Sequence, residues 1–206
     1  LFFNGFNGTV FNSADRAEGG AQLAIINADG SGYRELTQGP SNNAFPTMAP
    51  DGKRIAYRTF GPDGEGLRIM DLESGRVTTL LDGYDNFPTW SPRGDLIAFS
   101  RVVDDDYEIF TIKPDGTGLK RLTNVKGNDG HMQWSPDGEH LVFASNRMGF
   151  KDESPYLDAP QPQGEIFVMK YDGTGVVQLT DNQWEEGTPA WQPAVATAVT
   201  RGRTMQ

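Results

Sequence analysis

The hydrophobic residues of this chain fall in short runs, and no long run carries them at helical spacing. "IAYRTF" from Ile55, "LIAFS" from Leu96 and "LVFAS" from Leu141 are almost continuously apolar. Such runs suit strands covered on both faces. "YEIFTI" from Tyr107 and "GEIFVM" from Gly164 are rich in the residues that favour strands. Glycine and proline punctuate the runs, with 25 and 13 copies in 206 residues. The pattern predicts an all-β chain with frequent turns, long enough for one good-sized domain.

The runs repeat. "FPTWSPRGDLIAFSR", Phe87 to Arg101, has counterparts in "FPTMAPDGKRIAYRTF" from Phe45, "HMQWSPDGEHLVFASNR" from His131 and "TPAWQP" from Thr188. The anchoring prolines Pro50, Pro92, Pro136 and Pro193 are 42, 44 and 57 residues apart. A second pattern lies between the anchors: "AQLAIINADGSGYRELT" from Ala21, "GLRIMDLESGRVTTLL" from Gly66, "YEIFTIKPDGTGLKRLT" from Tyr107 and "GEIFVMKYDGTGVVQLT" from Gly164. A self-similar unit of about 40–45 residues with four strands predicts the blades of a β-propeller.

Within a unit, Thr89-Trp90-Ser91 forms a short strand a, and Ser-Pro-x-Gly a tight turn in which proline fixes φ and glycine accepts positive φ. "LIAFS" is strand b, "YEIFTI" strand c, "PDGTG" the next turn and "LKRLT" strand d. One tryptophan per unit, Trp90 and Trp134, is expected to fill the wedge between neighbouring blades, with Met48 in the same slot of the first full unit. The blade units are 1–37, 45–81, 87–123 and 131–180, followed by a closing strand at 188–193 and a tail at 194–206.

"LFFNGF" aligns with strand b, so the order is b-c-d, three times a-b-c-d, then a. About four blades are present. The last strand a could pair with the first strand b and close a small ring without exposed edges. Otherwise the blades form an arc of a six-or-more-bladed propeller, or two copies associate to complete a ring. The chain opens on Leu1 rather than Met, as a processed chain or a piece of a longer one would.

The combination Pro-x-Trp-Ser-Pro-Asp-Gly, an Ile-Ala-Phe-type strand, Ile-Phe-x-Met and Asp-Gly-x-Gly resembles the repeat of TolB-like β-propellers, a WD40-like Pro-Asp-Gly repeat family. "WSPDG" at Trp134–Gly138 matches best, "WSPRG" and "MAPDG" are near variants, and "WQP" lacks its Asp-Gly. The resemblance implies six blades, a periplasmic or extracellular location and a scaffold that binds partners at the propeller ends. The repeat also occurs in propeller domains of serine peptidases and in polysaccharide lyases, and a fold does not fix an activity.

Charge and missing motifs narrow the function. Acids outnumber Lys and Arg 28 to 18, giving a net charge of -10, so no basic face for nucleic acid is expected. No apolar stretch approaches the ~20 residues that span a bilayer. There is no cysteine and only two histidines, His131 and His140, so neither disulfides nor the histidine cluster of lyase-type propellers is available. The chain has no G-x-S-x-G elbow, Walker loop or G-x-G-x-x-G, and nothing calls for a cofactor. These features favour a non-enzymatic scaffold for a protein or peptide. The competing reading is the propeller module of a larger enzyme that gates or holds substrate.

Candidate contact residues gather where the d–a and b–c loops meet. "SNNAF", "GYDNF", "GNDGH" and "WEEGT" precede each strand a and supply Asn43, Asp85, Asn86, Asp129, His131, Glu185 and Glu186. Arg58, Arg101 and Arg147 follow the apolar run of each strand b. Two readings stand: a polar mouth for a peptide, a sugar or a cation, or groups that cap turns and pair with each other. The acidic balance favours a basic partner. The long b–c loops at 7–20 and 147–164 project from the same end, the second with Phe150 and Tyr156 suited to a partner. Asp104, Asp105 and Asp106 are weak metal candidates, because "DDDYE" lacks the spacing of a calcium loop. No metal site is expected.

Overall fold

The computed structural model describes residues 2–5, 20–27, 29–149, 164–182 and 186–192. They build four antiparallel sheets and no helix. The first sheet has three strands, β1 (Phe2–Gly5), β2 (Gln22–Ile25) and β3 (Arg34–Glu35). The second contains β4 (Asn42–Met48), β5 (Arg54–Gly61), β6 (Gly64–Asp71) and β7 (Val77–Asp82). The third contains β8 (Asp85–Trp90), β9 (Ile97–Val103), β10 (Asp106–Ile112) and β11 (Lys120–Arg121). The fourth contains β12 (Asp129–Trp134), β13 (His140–Ser145), β14 (Glu165–Lys170) and β15 (Val177–Gln178). Each sheet is a meander in chain order, and the strand order b-c-d followed by three a-b-c-d units is the one the repeat predicts.

Turn chemistry explains the prolines and glycines. In each a–b turn the glycine has positive φ: 69° at Gly52, 77° at Gly94 and 72° at Gly138. Their amides donate back to Ala49, Ser91 and Ser135. In the c–d turns Asp115 accepts from the Thr117 amide and hydroxyl, and Asp172 does the same for Thr174. One carboxylate oxygen of each aspartate is thereby committed to its own turn.

The sheets pack face to face. Trp90 sits in a cluster with Ala56, Leu67 and Ile69 of the second sheet and Ile97, Phe99 and Phe110 of its own. Trp134 lies with Ala98 and Ile109 of the third sheet and Leu141, Phe143 and Met169 of the fourth. Its indole Nε1–H donates to the Thr89 carbonyl across the blade boundary at 3.0 Å. Met48 packs against the first interface, beside Leu23 and Ile55. The wedge slot therefore joins each strand a to the blade before it.

The last repeat departs from expectation. Residues 187–192 form no strand, and β1 pairs only with β2. No pairing between this segment and the first strand b closes a ring among the described residues. Even so, Trp191 donates from Nε1 to the Gln133 carbonyl at 3.1 Å, the docking that Trp134 makes one blade earlier. Thr188 also has φ 44°, a value shared with the bulge residues described below. The segment holds a strand-a position, but no described strand b lies beside it to form a ladder. The expected tail at 194–206, Trp184 and nearly all of the two long loops lie outside the described residues.

Trp90 and Trp134 are 5% and 7% exposed, whereas Trp191 is 37% exposed. Trp90→Ala or Trp134→Ala is expected to cost about 3–5 kcal/mol, the usual result of emptying a buried aromatic site. Trp191→Ala should cost distinctly less. Urea denaturation of the three variants checks the ranking.

Candidate functional site

Every full strand a carries the same defect. In β4 the register slips between Ala44 and Thr47, in β8 between Asn86 and Thr89, and in β12 between Gly130 and Gln133. Two residues there oppose one on strand b, which is a β-bulge. The first bulge residue has positive φ each time: 55° at Phe45, 51° at Phe87 and 51° at His131. Glycine usually takes such a position, and a bulky side chain there is strained. Proline follows in two of the three, Pro46 and Pro88, where a missing N–H costs the ladder nothing.

The bulge turns these side chains toward one another. The Phe45 and Phe87 rings meet edge-to-face at 4.7 Å, and Phe87 meets His131 at 4.5 Å. Tyr107 approaches Phe87 at 6.5 Å, and Tyr84 meets Phe60 at 6.0 Å. Phe60 ends strand b, Tyr84 lies in a d–a turn and Tyr107 opens strand c, so the group occupies the d–a/b–c end. Phe45, Phe60 and Tyr84 are 38%, 40% and 50% exposed. The sequence signal was the Phe-Pro pair in "FPTM" and "FPTW", whose bulge geometry a strand pattern does not reveal.

The residues two places before the bulge go the other way. Asn43, Asp85 and Asp129 are buried within strand a rather than standing in a loop before it. Asp85 takes two hydrogen bonds from the Arg101 guanidinium, at 2.6 and 2.7 Å. Asp129 accepts from Arg147 Nη2 at 2.7 Å and from the Ser145 hydroxyl. Burial pushes the Asp129 carboxyl up, and the Arg147 charge opposes it. Asn43 donates to Gln22 Oε1 at 3.1 Å and to the Ser41 carbonyl at 3.3 Å. Asn86 is buried and accepts from the Phe87 amide. Glu186 accepts from the Thr180 hydroxyl and from the Asn182 amide. Glu185 lies outside the described residues. Of the two readings, these groups fit pairing and turn-capping. Among the described residues they do not form an open polar rim.

The three arginines are not equivalent. Aligning the strands by their partners on strand c places Arg58 level with Ser100, one residue before the level of Arg101. One residue in a strand reverses the face. Arg147 falls two residues beyond the Arg101 level, beyond the last paired residue of β13, and still reaches the same carboxylate position. Arg58 instead lies over Phe45 at 5.3 Å and Phe60 at 5.8 Å. Its Nε is buried without a partner, and burial lowers its pKa. Asn43 replaces aspartate in the blade whose arginine faces away.

Two further groups were not anticipated. Glu108 is buried, accepts from Arg121 at 2.8 Å and takes the Thr123 hydroxyl. Thr37, Thr123 and Thr180 each accept a strand-c amide N–H, from Leu23, Ile109 and Ile166, at 2.8 Å. The recurring Leu-Thr that ends "RELT", "KRLT" and "VQLT" was their signal.

Asp104 and Asp105 have φ 51° and 72° and form the two-residue turn between β9 and β10. Paired positive φ values mark a type I′ hairpin turn, which aspartate tolerates. No three His, Asp or Glu side chains are grouped to hold a metal ion among the described residues. At the opposite end of the blades, a cavity of about 520 Å³ is lined by Met48, Pro50, Trp90, Pro92, Trp134 and Pro136 with small neighbours. It holds no charged side chain.

Residues 9–152 match the family model described as the TolB beta propeller domain. The chain belongs to the TolB β-propeller family. It is 31% identical over 122 residues to the protein TolB homolog of Chlorobium luteolum, covering 59% of this chain and 28% of that protein. A putative TolB from Agrobacterium tumefaciens has the same fold, with a TM-score of 0.69 and 24% identity over 91% of this chain and 64% of that one. Oligogalacturonate lyase in complex with manganese shares the fold at TM-score 0.58 and 17% identity, over 85% of this chain and 54% of that one. The chain thus spans less than two thirds of the length of each of these relatives.

Asp129→Ala strands Arg147, whose side chain is 10% exposed, and should cost about 3–5 kcal/mol. Asn43→Asp should also destabilise, because a buried carboxylate there meets no arginine, and Thr59→Arg in the same chain should recover part of the loss. Chemical denaturation of the single and double variants tests both. Burial also holds the His131 imidazole below its ordinary value. The unfolded chain binds a proton near pH 6.5 while the folded chain resists it. Stability from this group is therefore complete above pH 6.5 and falls as pH drops toward the lowered folded value. His131→Gln should flatten the change in melting temperature between pH 7.5 and 5.5.

Proposed function

We propose that this chain is a non-enzymatic interaction module of the TolB type, which takes a protein or peptide partner at the d–a/b–c end. The observation that carries this reading is the exposed aromatic surface of Phe45, Phe60 and Tyr84 around the strained bulges. Strained non-glycine backbone clusters at functional sites. Exposed aromatics beside an arginine are the composition of partner-binding centres. The opposite end offers turn residues already used by their own backbone. The location that suits the reading is the periplasm or the extracellular space, by resemblance to TolB proteins.

The expected preference for a basic partner rests on the chain's acidic balance, to which Asp85, Asp129 and Glu186 add no outward-facing charge. The two aspartates are buried, and all three accept hydrogen bonds inside the fold. The alternative of a propeller module in a larger enzyme draws on the lyase likeness, which at 17% identity concerns the fold alone. His140 opens β13, whereas His131 lies at the bulge level with Phe143, three residues further along that strand, so the two do not face each other across the ladder.

A photo-crosslinking amino acid placed at Tyr84, and separately at the turn residue Asp115, tests the face. In extract from the source organism, discrete adducts from position 84 and none from 115 are expected. Adducts confined to 115 would assign binding to the wrong end. Turnover of ester, peptide or uronide substrates, abolished by a point substitution in this chain, would overturn the non-enzymatic reading.

A further inference from the structure

Arg58 is the half-buried arginine that lacks a counter-charge. Arg54, Arg68, Arg93, Arg101, Arg121 and Arg147 all stand in ion pairs with acids of the chain. Arg58 has no such pair among the described residues, although the chain carries 28 acids and a net charge of -10. Its Nε is buried and makes no hydrogen bond. The titrating groups that act on it are Tyr84 and Tyr107. A desolvated guanidinium with unused donors is costly unless an anion meets it.

The surroundings specify the anion. Phe45 and Phe60 lie against the guanidinium, and Tyr84 stands edge-on to Phe60. These rings fix the plane of the fork, so that its free edge can receive a planar carboxylate through two parallel hydrogen bonds. The exposed parts of Phe60 and Tyr84 offer an apolar shelf beside that point. Glu65 pairs with Phe60 across the ladder and opposes an incoming carboxylate at that edge, whereas physiological salt screens charges beyond about 8–10 Å and screens a half-buried pair much less.

We propose that Arg58 anchors a carboxylate of the peptide partner, an acidic side chain followed by an aromatic residue that lies on Phe60 and Tyr84. This rests on the reading of the d–a/b–c end as the binding face and adds the chemistry of the ligand. The register supports it independently. Arg58 faces away from the carboxylate position that Arg101 and Arg147 fill, and Asn43 stands there instead of an acid. The second blade therefore carries an arginine at a different register, with no acid partner among the described residues.

The test uses the full chain labelled with ¹⁵N and three probes: acetyl-Glu-Phe-amide, acetyl-Gln-Phe-amide and sodium acetate. The Arg58 Nε–H resonance, assigned by its loss in Arg58→Gln, reports the contact. The glutamate peptide should shift it saturably and bind about tenfold more tightly than the glutamine peptide, the discrimination expected of a charge-assisted pair. Arg58→Gln should erase that preference, and Tyr84→Ala should weaken both peptides alike. Arg58→Lys keeps the charge without the fork and should retain only part of the preference, which guards against a variant that fails to fold. Equal binding of the two peptides, or no shift at Arg58 with either, overturns the proposal. A shift by acetate at the same concentration and strength as by the glutamate peptide overturns the peptide shelf and leaves an adventitious anion site only. Each of these failures leaves crosslinking from position 84 to report separately on the binding face.

Discussion

The bulge in strand a is the constraint on which the rest of this molecule depends. It forces one non-glycine residue per blade into positive φ, at Phe45, Phe87 and His131. The strain is offset by what the kink arranges on either side. Before it, Asn43, Asp85 and Asp129 are carried into the sheet, where hydrogen bonds hold them. After it, Met48, Trp90 and Trp134 are set in the wedge toward the preceding blade. At it, the side chains meet edge-to-face from one blade to the next. A straight strand would follow one period of two throughout and could not present all three sets this way.

The energetics of the two ion-paired blades differ from those of the second blade. Asp85 and Asp129 are fully desolvated, so their pairs stabilise the fold only against the cost of removing both charges from water. Their value lies chiefly in fixing where strand a meets the end of strand b. In the second blade neutral groups stand in place of the pair, and Asn43 bonds to Gln22 of the first sheet and to the Ser41 carbonyl rather than to strand b. This avoids a buried charge and leaves Arg58 outside the lock. The Arg58 guanidinium thus joins the aromatic surface through a change of register and not through an added element.

The period of the repeat made strands, turns and wedge tryptophans legible, because each is a local consequence of residue type at fixed spacing. Trp134 and the Ser-Pro-x-Gly turns needed no tertiary information. The site was harder to read for a specific reason. Arg58, Arg101 and Arg147 all follow an apolar run, but their positions differ by one to three residues along strand b, and an odd offset reverses the side chain. Likewise the acids before each strand a looked like loop residues, because a bulge hides the pairing that continues beyond it. The segment 188–193 matched strand a in sequence, yet a strand is defined by its partner, and Trp191 docks without one.

The two ends of the blades illustrate how repetition separates structure from function. At the a–b and c–d end, Gly52, Gly94 and Gly138 perform one backbone task in every copy, and Asp115 and Asp172 perform another. Identity between copies there reflects geometry that each blade must satisfy. At the other end the copies diverge: Phe, Phe and His at the bulge, and Thr59, Arg101 and Ser145 opposite the lock. Backbone geometry alone does not demand that divergence. A partner that touches several blades at once meets a different side chain on each, so an almost regular scaffold can present an irregular, and therefore selective, surface.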